Sequence, residues 1–157
     1  MTKPASNVGD PGKISVRLIT SQEELEHAHN IRRIVFVSEQ GVPEEEEIDQ
    51  YEQDCRHFLA LTEKGIPCGA ARWRFTVNGV KLERFAVLKA FRNQGVGSAL
   101  VQSVLNDIKK HPRFHGQKIY LHAQLDAMPL YKKFGFQKTG PLFLECDIKH
   151  YKMEREM

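Results

Sequence analysis

"VLKAFRNQGVGSALV", residues 87–101, is the stretch whose reading decides the fold. Gly95 and Gly97 stand between an apolar segment and a run in which Leu100, Val101, Val104, Leu105 and Ile108 recur at helical spacing. Lys109 and Lys110 close that run, where the negative end of a helix dipole favours cations. Glycines at the mouth of a helix let a ligand reach the unpaired N–H groups of its first turn, which is how backbone usually meets a phosphate. A Gly-x-Gly pair is equally compatible with a tight turn and no ligand.

The flanking segments place this loop in a sheet. Upstream, "CGAARWRFTV" and "VKLERFAV" are strand-like and separated by Asn78-Gly79, which predicts a two-residue type I′ hairpin with those two residues at its centre. Downstream, "KIYLHAQ" (118–124) is again strand-like. Strand, helix and strand in succession imply a right-handed crossover to a parallel neighbour. The expected fold class is therefore α/β: a mixed, mostly antiparallel central sheet flanked by helices, with one parallel junction forming a cleft at the glycine loop.

The remaining elements follow the same logic. "ISVRLI" (14–19) reads as a first strand, and a helix follows in which Ser21 caps with Glu24 three residues on. Leu25, Ala28, Ile31, Val35 and Phe36 would share its buried face. Residues 38–54 are polar and acidic, with Glu44 to Glu47 in a row; "RHFLALT" is a strand that "EKGIP" turns back. "DAMPLYKKFGF" reads as a short helix capped by Asp126 and stopped by Gly135, and "FLECDIKHYKME" as one last strand. A flexible N-terminal tail over residues 1–12 and one domain over 13–157 are expected.

Composition narrows the class. Lys plus Arg number 23 against 20 Asp plus Glu, with the basic residues scattered, so nucleic acid is not an expected partner. Cys55, Cys68 and Cys146 form no CxxC pair, which suggests a reducing compartment and no disulfide framework. No apolar run is long enough for a membrane span, and the expected location is cytoplasmic. His111 and His115 have Pro112 between them and a helix end nearby, so no metal site is expected.

Three phosphate-binding patterns compete for "RNQGVG". A Walker A loop needs Gly-Lys-Ser/Thr, which is missing, and a dinucleotide fingerprint needs a third glycine where Leu100 stands. Arg92-Asn93-Gln94-Gly95-Val96-Gly97 instead resembles the acyl-CoA signature of the GNAT superfamily of N-acetyltransferases. "LERFAV" before the loop and "AQLDAMPLYKKFGF" after the next strand extend the likeness, and "RRIVFVSEQGVPEEEEIDQYEQD" is similar to the ElaA-like subgroup. Gln124 departs from the family pattern, which has Asn there.

The resemblance implies acetyl-CoA as acyl donor, held by Phe85, Ala86, Val87, Arg92, Asn93, Gln94, Gly95, Val96, Gly97, Ser98, Gln124 and Tyr131. It implies direct transfer to a small-molecule or peptide amine, with Tyr131 protonating the leaving thiolate, Glu83 taking the amine proton and the Val87 N–H polarising the thioester. Glu83 could equally be an ion-paired strand residue, with Arg84 or Arg72 as partner, and Tyr131 a core aromatic. Arg32, Trp73, His122, Cys146 and His150 are candidates for the acceptor side, and Glu44 to Glu47 with Asp49 for steering a cationic acceptor. Trp73 could instead fill a sheet face, and Cys146 could be a nucleophile if it and His150 point the same way along the last strand. A homodimer and a catalytically silent CoA-binding domain are the alternatives left open.

Overall fold

The computed structural model describes residues 12–157, so the expected tail, except for Gly12, lies outside the described residues. Strand β1 (Ser15–Leu18) leads to helix α1 (Gln22–Arg32). Ser21 caps α1 as expected: its Oγ accepts from the Glu24 N–H at 3.1 Å, while Glu24 Oε1 accepts from the Thr20 N–H at 3.1 Å. Beyond Arg32 the turns widen into a π-helix (Arg33–Glu39). The single expected α-helix is thus two kinds of helix. The acidic segment contains α2 (Glu44–Glu47) and returns the chain to β2 (Arg56–Leu61).

Strands β3 (Pro67–Thr76) and β4 (Gly79–Val87) form the expected hairpin, with a different turn. Thr76 pairs with Gly79, so Val77 and Asn78 are the central residues. Gly79, at φ +137°, begins the return strand, and a Cβ there would lie 2.2 Å from the Lys118 carbonyl oxygen. The glycine is needed for close approach to a neighbouring segment, which sequence spacing does not show.

Helix α3 (Val96–Lys110) follows the glycine loop and crosses to β5 (Ile119–Gln124), which pairs in parallel with β4. Short helix α4 (Met128–Lys132) has Ala127 at its N-cap, and Asp126 makes no capping bond. Gly135, at φ +86°, ends it as expected. The chain closes with two strands where one was expected, β6 (Gln137–Glu145) and β7 (Ile148–Arg155). Cys146 and Asp147, at φ +50° and +61°, form the turn between them. Asp is at home at positive φ but Cys is not, and no glycine follows, so the pair lacks the usual hairpin signature.

The sheet order is β1-β2-β3-β4-β5-β7-β6, antiparallel except at β4 and β5. On one face α3 buries Leu100, Val104 and Ile108 against Phe58, Trp73, Leu82 and Leu121. On the other, α1 buries Ala28 and Ile31 against Leu59, Ala70 and Ala86. Asp107 ties α3 to the sheet, accepting from Trp73 Nε1 at 2.9 Å and from Arg56 Nε at 2.7 Å.

Candidate functional site

The parallel pairing of β4 with β5 is short: Val80 with Ile119, Lys81 with Tyr120, Leu82 with Leu121, and then it stops. Two residues later, Arg84 takes φ +58°. Between the Arg72–Glu83 and Ala70–Ala86 pairs, Arg84 and Phe85 oppose the single residue Ala71, a β-bulge that bends β4 away from β5. The strands splay into a slot, and a cavity of about 380 Å³ opens there. Nothing in "LERFAV" announces the bulge, since an Arg with positive φ has no sequence signature.

The glycine loop follows β4 beyond this slot and opens α3, the helix that crosses to β5. Asn93 and Gly95 are both left-handed, at φ +62° and +88°, and Gly95 is the N-cap of α3. The Ala99 N–H makes the first helical bond, to the Gly95 carbonyl, and the amides of Gly95 to Ser98 have no protein acceptor among the described residues. No acidic residue lies in the first turn. Several free N–H groups, a positive dipole end and no opposing carboxylate in that turn suit a pyrophosphate. A Cβ on Gly95 would meet nothing within 4 Å, whereas one on Gly97 would lie 3.1 Å from Leu130 Cδ2. Gly97 therefore also serves the packing of α3 on α4.

Arg92 secures the loop: its Nε donates to the Val87 carbonyl at 2.9 Å and an Nη donates to Glu39 at 2.6 Å. The Leu88 N–H is hydrogen-bonded to the Cys68 carbonyl, so Val87, one residue earlier, turns its own N–H away from β3, to the side of β4 on which β5 lies. Ala86 is buried beneath α1. Gln124, at the end of β5, donates to Gln40 Oε1 at 2.7 Å. Gln40, which follows the π-helix, was not foreseen as part of the site.

Tyr131 reaches the cavity from α4. Its ring is 7% exposed and meets Phe85 and Phe136 edge-on, with centroids 5.9 and 6.0 Å away. Among the described residues its hydroxyl has no hydrogen-bond partner, and burial raises its pKa, so the phenol stays protonated and able to donate.

Glu83 also meets the cavity, but in a setting unlike that of a free base. Arg72 Nε donates to it at 2.9 Å, Arg74 Nε at 3.1 Å, and Lys81 Nζ lies 3.1 Å away. Burial alone would raise the pKa of this carboxyl; Arg72, Lys81 and Arg74 overcome that and hold it below the ordinary value. The ion-paired alternative therefore describes Glu83 better than the proton acceptor does, with Arg72 as a partner.

The acceptor-side candidates divide. Arg32 is buried away from the cavity, bonded to Glu47 Oε2 at 2.9 Å and Glu52 Oε1 at 2.6 Å. Trp73 lies in the core beneath α3, so neither forms an acceptor wall. His122, Cys146 and His150 all line the cavity. Cys146 sits in the β6–β7 turn rather than on a strand with His150, and its thiol donates to Glu46 at 2.9 Å. That bond, with burial, pushes the thiol up to about 11, which opposes a nucleophilic role. Glu47 and Asp49 are not free to steer a ligand: Arg84 pairs with both, and Arg72 Nη donates to Asp49 at 2.7 Å. Glu44 to Glu46 remain exposed.

The sequence model described as "Acetyltransferase (GNAT) domain" matches residues 20–157. The chain belongs to the GNAT acetyltransferases. It is 37% identical over 138 residues to the uncharacterized N-acetyltransferase YjcF of Bacillus subtilis, covering 87% of this chain and 95% of that one. The crystal structure of Escherichia coli ElaA superposes with a TM-score of 0.76 at 26% identity, covering 92% of this chain and 99% of that one. Arabidopsis thaliana NAA60, solved in complex with acetyl-CoA, shares the fold at TM-score 0.72 and 19% identity, over 92% and 99% of the two chains. No group of three or more potential metal ligands occurs among the described residues of this GNAT domain, and none of its helices is long and apolar enough to cross a membrane.

Proposed function

We propose that this GNAT protein transfers an acetyl group from acetyl-CoA to a primary amine by direct attack within a ternary complex. The observation that carries the reading is the Tyr131 hydroxyl, protonated and without a hydrogen-bond partner among the described residues, at the cavity where β4 and β5 part, with the unpaired amides of the α3 N-terminus on the crossover that joins those two strands. The amides of Gly95 to Ser98 would hold the pyrophosphate, and the splay between β4 and β5 would admit the pantetheine arm. The Val87 N–H would bond the thioester oxygen, where negative charge develops during attack. Tyr131 would protonate the thiolate as it leaves.

The acceptor would enter from the face that bears α1 and the acidic segment, since α3 and α4 cover the other face. The test is thiol release from acetyl-CoA in the presence of lysine, spermidine or glucosamine, run beside calorimetric titration with acetyl-CoA. Binding together with amine-dependent thiol release supports the proposal. Binding without release for any amine class points to a silent CoA-binding domain, and absence of binding removes the cosubstrate.

A further inference from the structure

With both oxygens of Glu83 engaged by cations, the slot needs another group to receive the amine proton. Leu82 and Leu121 are the last parallel pair, and both side chains face α3. The next residue on each strand, Glu83 and His122, therefore faces the opposite side, where the acceptor would enter. His122 Nδ1 lies 3.1 Å from Glu145 Oε2. An ionised carboxylate can only accept, so Nδ1 carries the proton and the neutral ring presents a bare Nε2. No protein group bonds that Nε2 among the described residues. Phe143 fixes the ring from one side, edge-on at 5.0 Å between centroids.

We infer that His122, oriented by Glu145, is the general base that takes the proton from the acceptor amine. This rests on the acetyltransfer reading above. Tyr131 and His122 then meet the slot from opposite faces of the sheet, with the acid at the leaving sulfur and the base at the entering nitrogen. The C–N bond forms as the amine lone pair attacks the thioester carbon, and the excess amine proton passes to Nε2. The C–S bond breaks as the thiolate takes the Tyr131 proton. The imidazolium releases its proton and Tyr131 regains one through solvent, so a neutral amine and acetyl-CoA give the amide and CoA thiol with no net change in protons.

Glu145 is a positioning residue. Its carboxyl is held below its ordinary value, first by the bond from His122 and, against the opposing effect of burial, by the positive field of His122, His150 and Lys81. His150 is a weaker candidate for the base: it is 6% exposed, with Nδ1 committed to the Ile148 carbonyl at 2.6 Å and Nε2 3.9 Å from Glu145 Oε1. The charged groups that face His122 are Lys81 and Glu83 on β4, Glu145 on β6, His150 and Lys152 on β7, and Glu46 on α2. Any pH profile reflects all of them.

Two measurements test the assignment. The first needs no acceptor: long-range proton–nitrogen spectra of the 15N-labelled, CoA-saturated protein at ~pH 8.5, where an ordinary imidazole is neutral. The signals of His122, identified by their loss in His122→Gln, should show the proton on Nδ1, and Glu145→Gln should erase that bias. A proton resident on Nε2 in the native protein overturns the proposal. The second is thiol release with whichever of lysine, spermidine or glucosamine the native protein acetylates. His122→Gln should lower kcat/KM by about 10²–10⁴-fold with acetyl-CoA affinity unchanged, and flatten the decline towards acid pH. Glu145→Gln should move that decline to lower pH. A His122→Gln rate and pH profile equal to the native ones overturns the dyad, whereas lost acetyl-CoA binding by the native protein would sink the acetyltransfer reading instead.

Discussion

Tyr131 and Glu83 both border the same slot, and their surroundings assign them opposite fates. Tyr131→Phe removes a hydroxyl that makes no hydrogen bond among the described residues, so folding and acetyl-CoA affinity should be kept while kcat falls by about 10²–10⁴-fold. Calorimetry and steady-state rates on the same preparation check this. Glu83→Gln removes the carboxylate charge that faces Arg72, Arg74 and Lys81. Because breaking a buried pair leaves an uncompensated charge, it should cost about 3–5 kcal/mol in urea unfolding, and it should move the acid limb of the pH–rate profile without flattening it. The glycine turn was legible in the sequence from local spacing, and Tyr131 was singled out by its place in the segment "AQLDAMPLYKKFGF" that resembles the family. Glu145 and Gln40 were not: Glu145 meets His122 only through an unforeseen hairpin, and Gln40 meets Gln124 across 84 positions of chain.

At the level of elements, the acidic segment is half scaffold and half surface. Glu47 and Asp49 are spent on Arg32, Arg72 and Arg84, while Glu44, Glu45 and Glu46 face solvent beside the cavity. Replacing only those three by Gln should raise KM for a cationic acceptor at low salt and matter little at high salt, as exposed charges are screened over about 8 Å at physiological ionic strength. Adding Glu47→Gln should instead unfold the segment, visible as lost thermal stability whatever the salt. Strands and helices with a regular apolar period were read correctly. The turns were read less well: Gly79 answers to the Lys118 carbonyl and Cys146-Asp147 to a hairpin, both set by tertiary contact rather than by residue preference.

For the whole molecule, the parallel junction was the inference that mattered most, since strand, helix and strand allow few topologies and the site follows from where β4 and β5 part. Beside that junction, buried charge ties α1 and the acidic segment to β3. Glu52 binds Arg32 and Arg72 at once. Burial would raise its pKa, but Arg32, His29 and His57 bring it down to about 2. Because the folded value lies below the unfolded 4.5, this stability is fully present above pH 4.5 and is lost as pH falls towards 2. The linked free energy is on the order of 3 kcal/mol. Glu52→Gln should therefore lower the neutral-pH stability and shallow the acid transition, as read by circular dichroism from neutral pH downwards.

The central claim is that acetyl-CoA threads the splay between β4 and β5 with its reacting end between Tyr131 and His122. A crystal structure with acetyl-CoA bound tests it most directly. The account predicts pyrophosphate oxygens on the amides of Gly95 to Ser98, the thioester oxygen on the Val87 N–H, and the sulfur within about 3.5 Å of the Tyr131 hydroxyl, the reach expected of a proton donor. A bound acetyl-CoA whose thioester lies outside the slot, with Tyr131 and His122 both facing empty cavity, would contradict it.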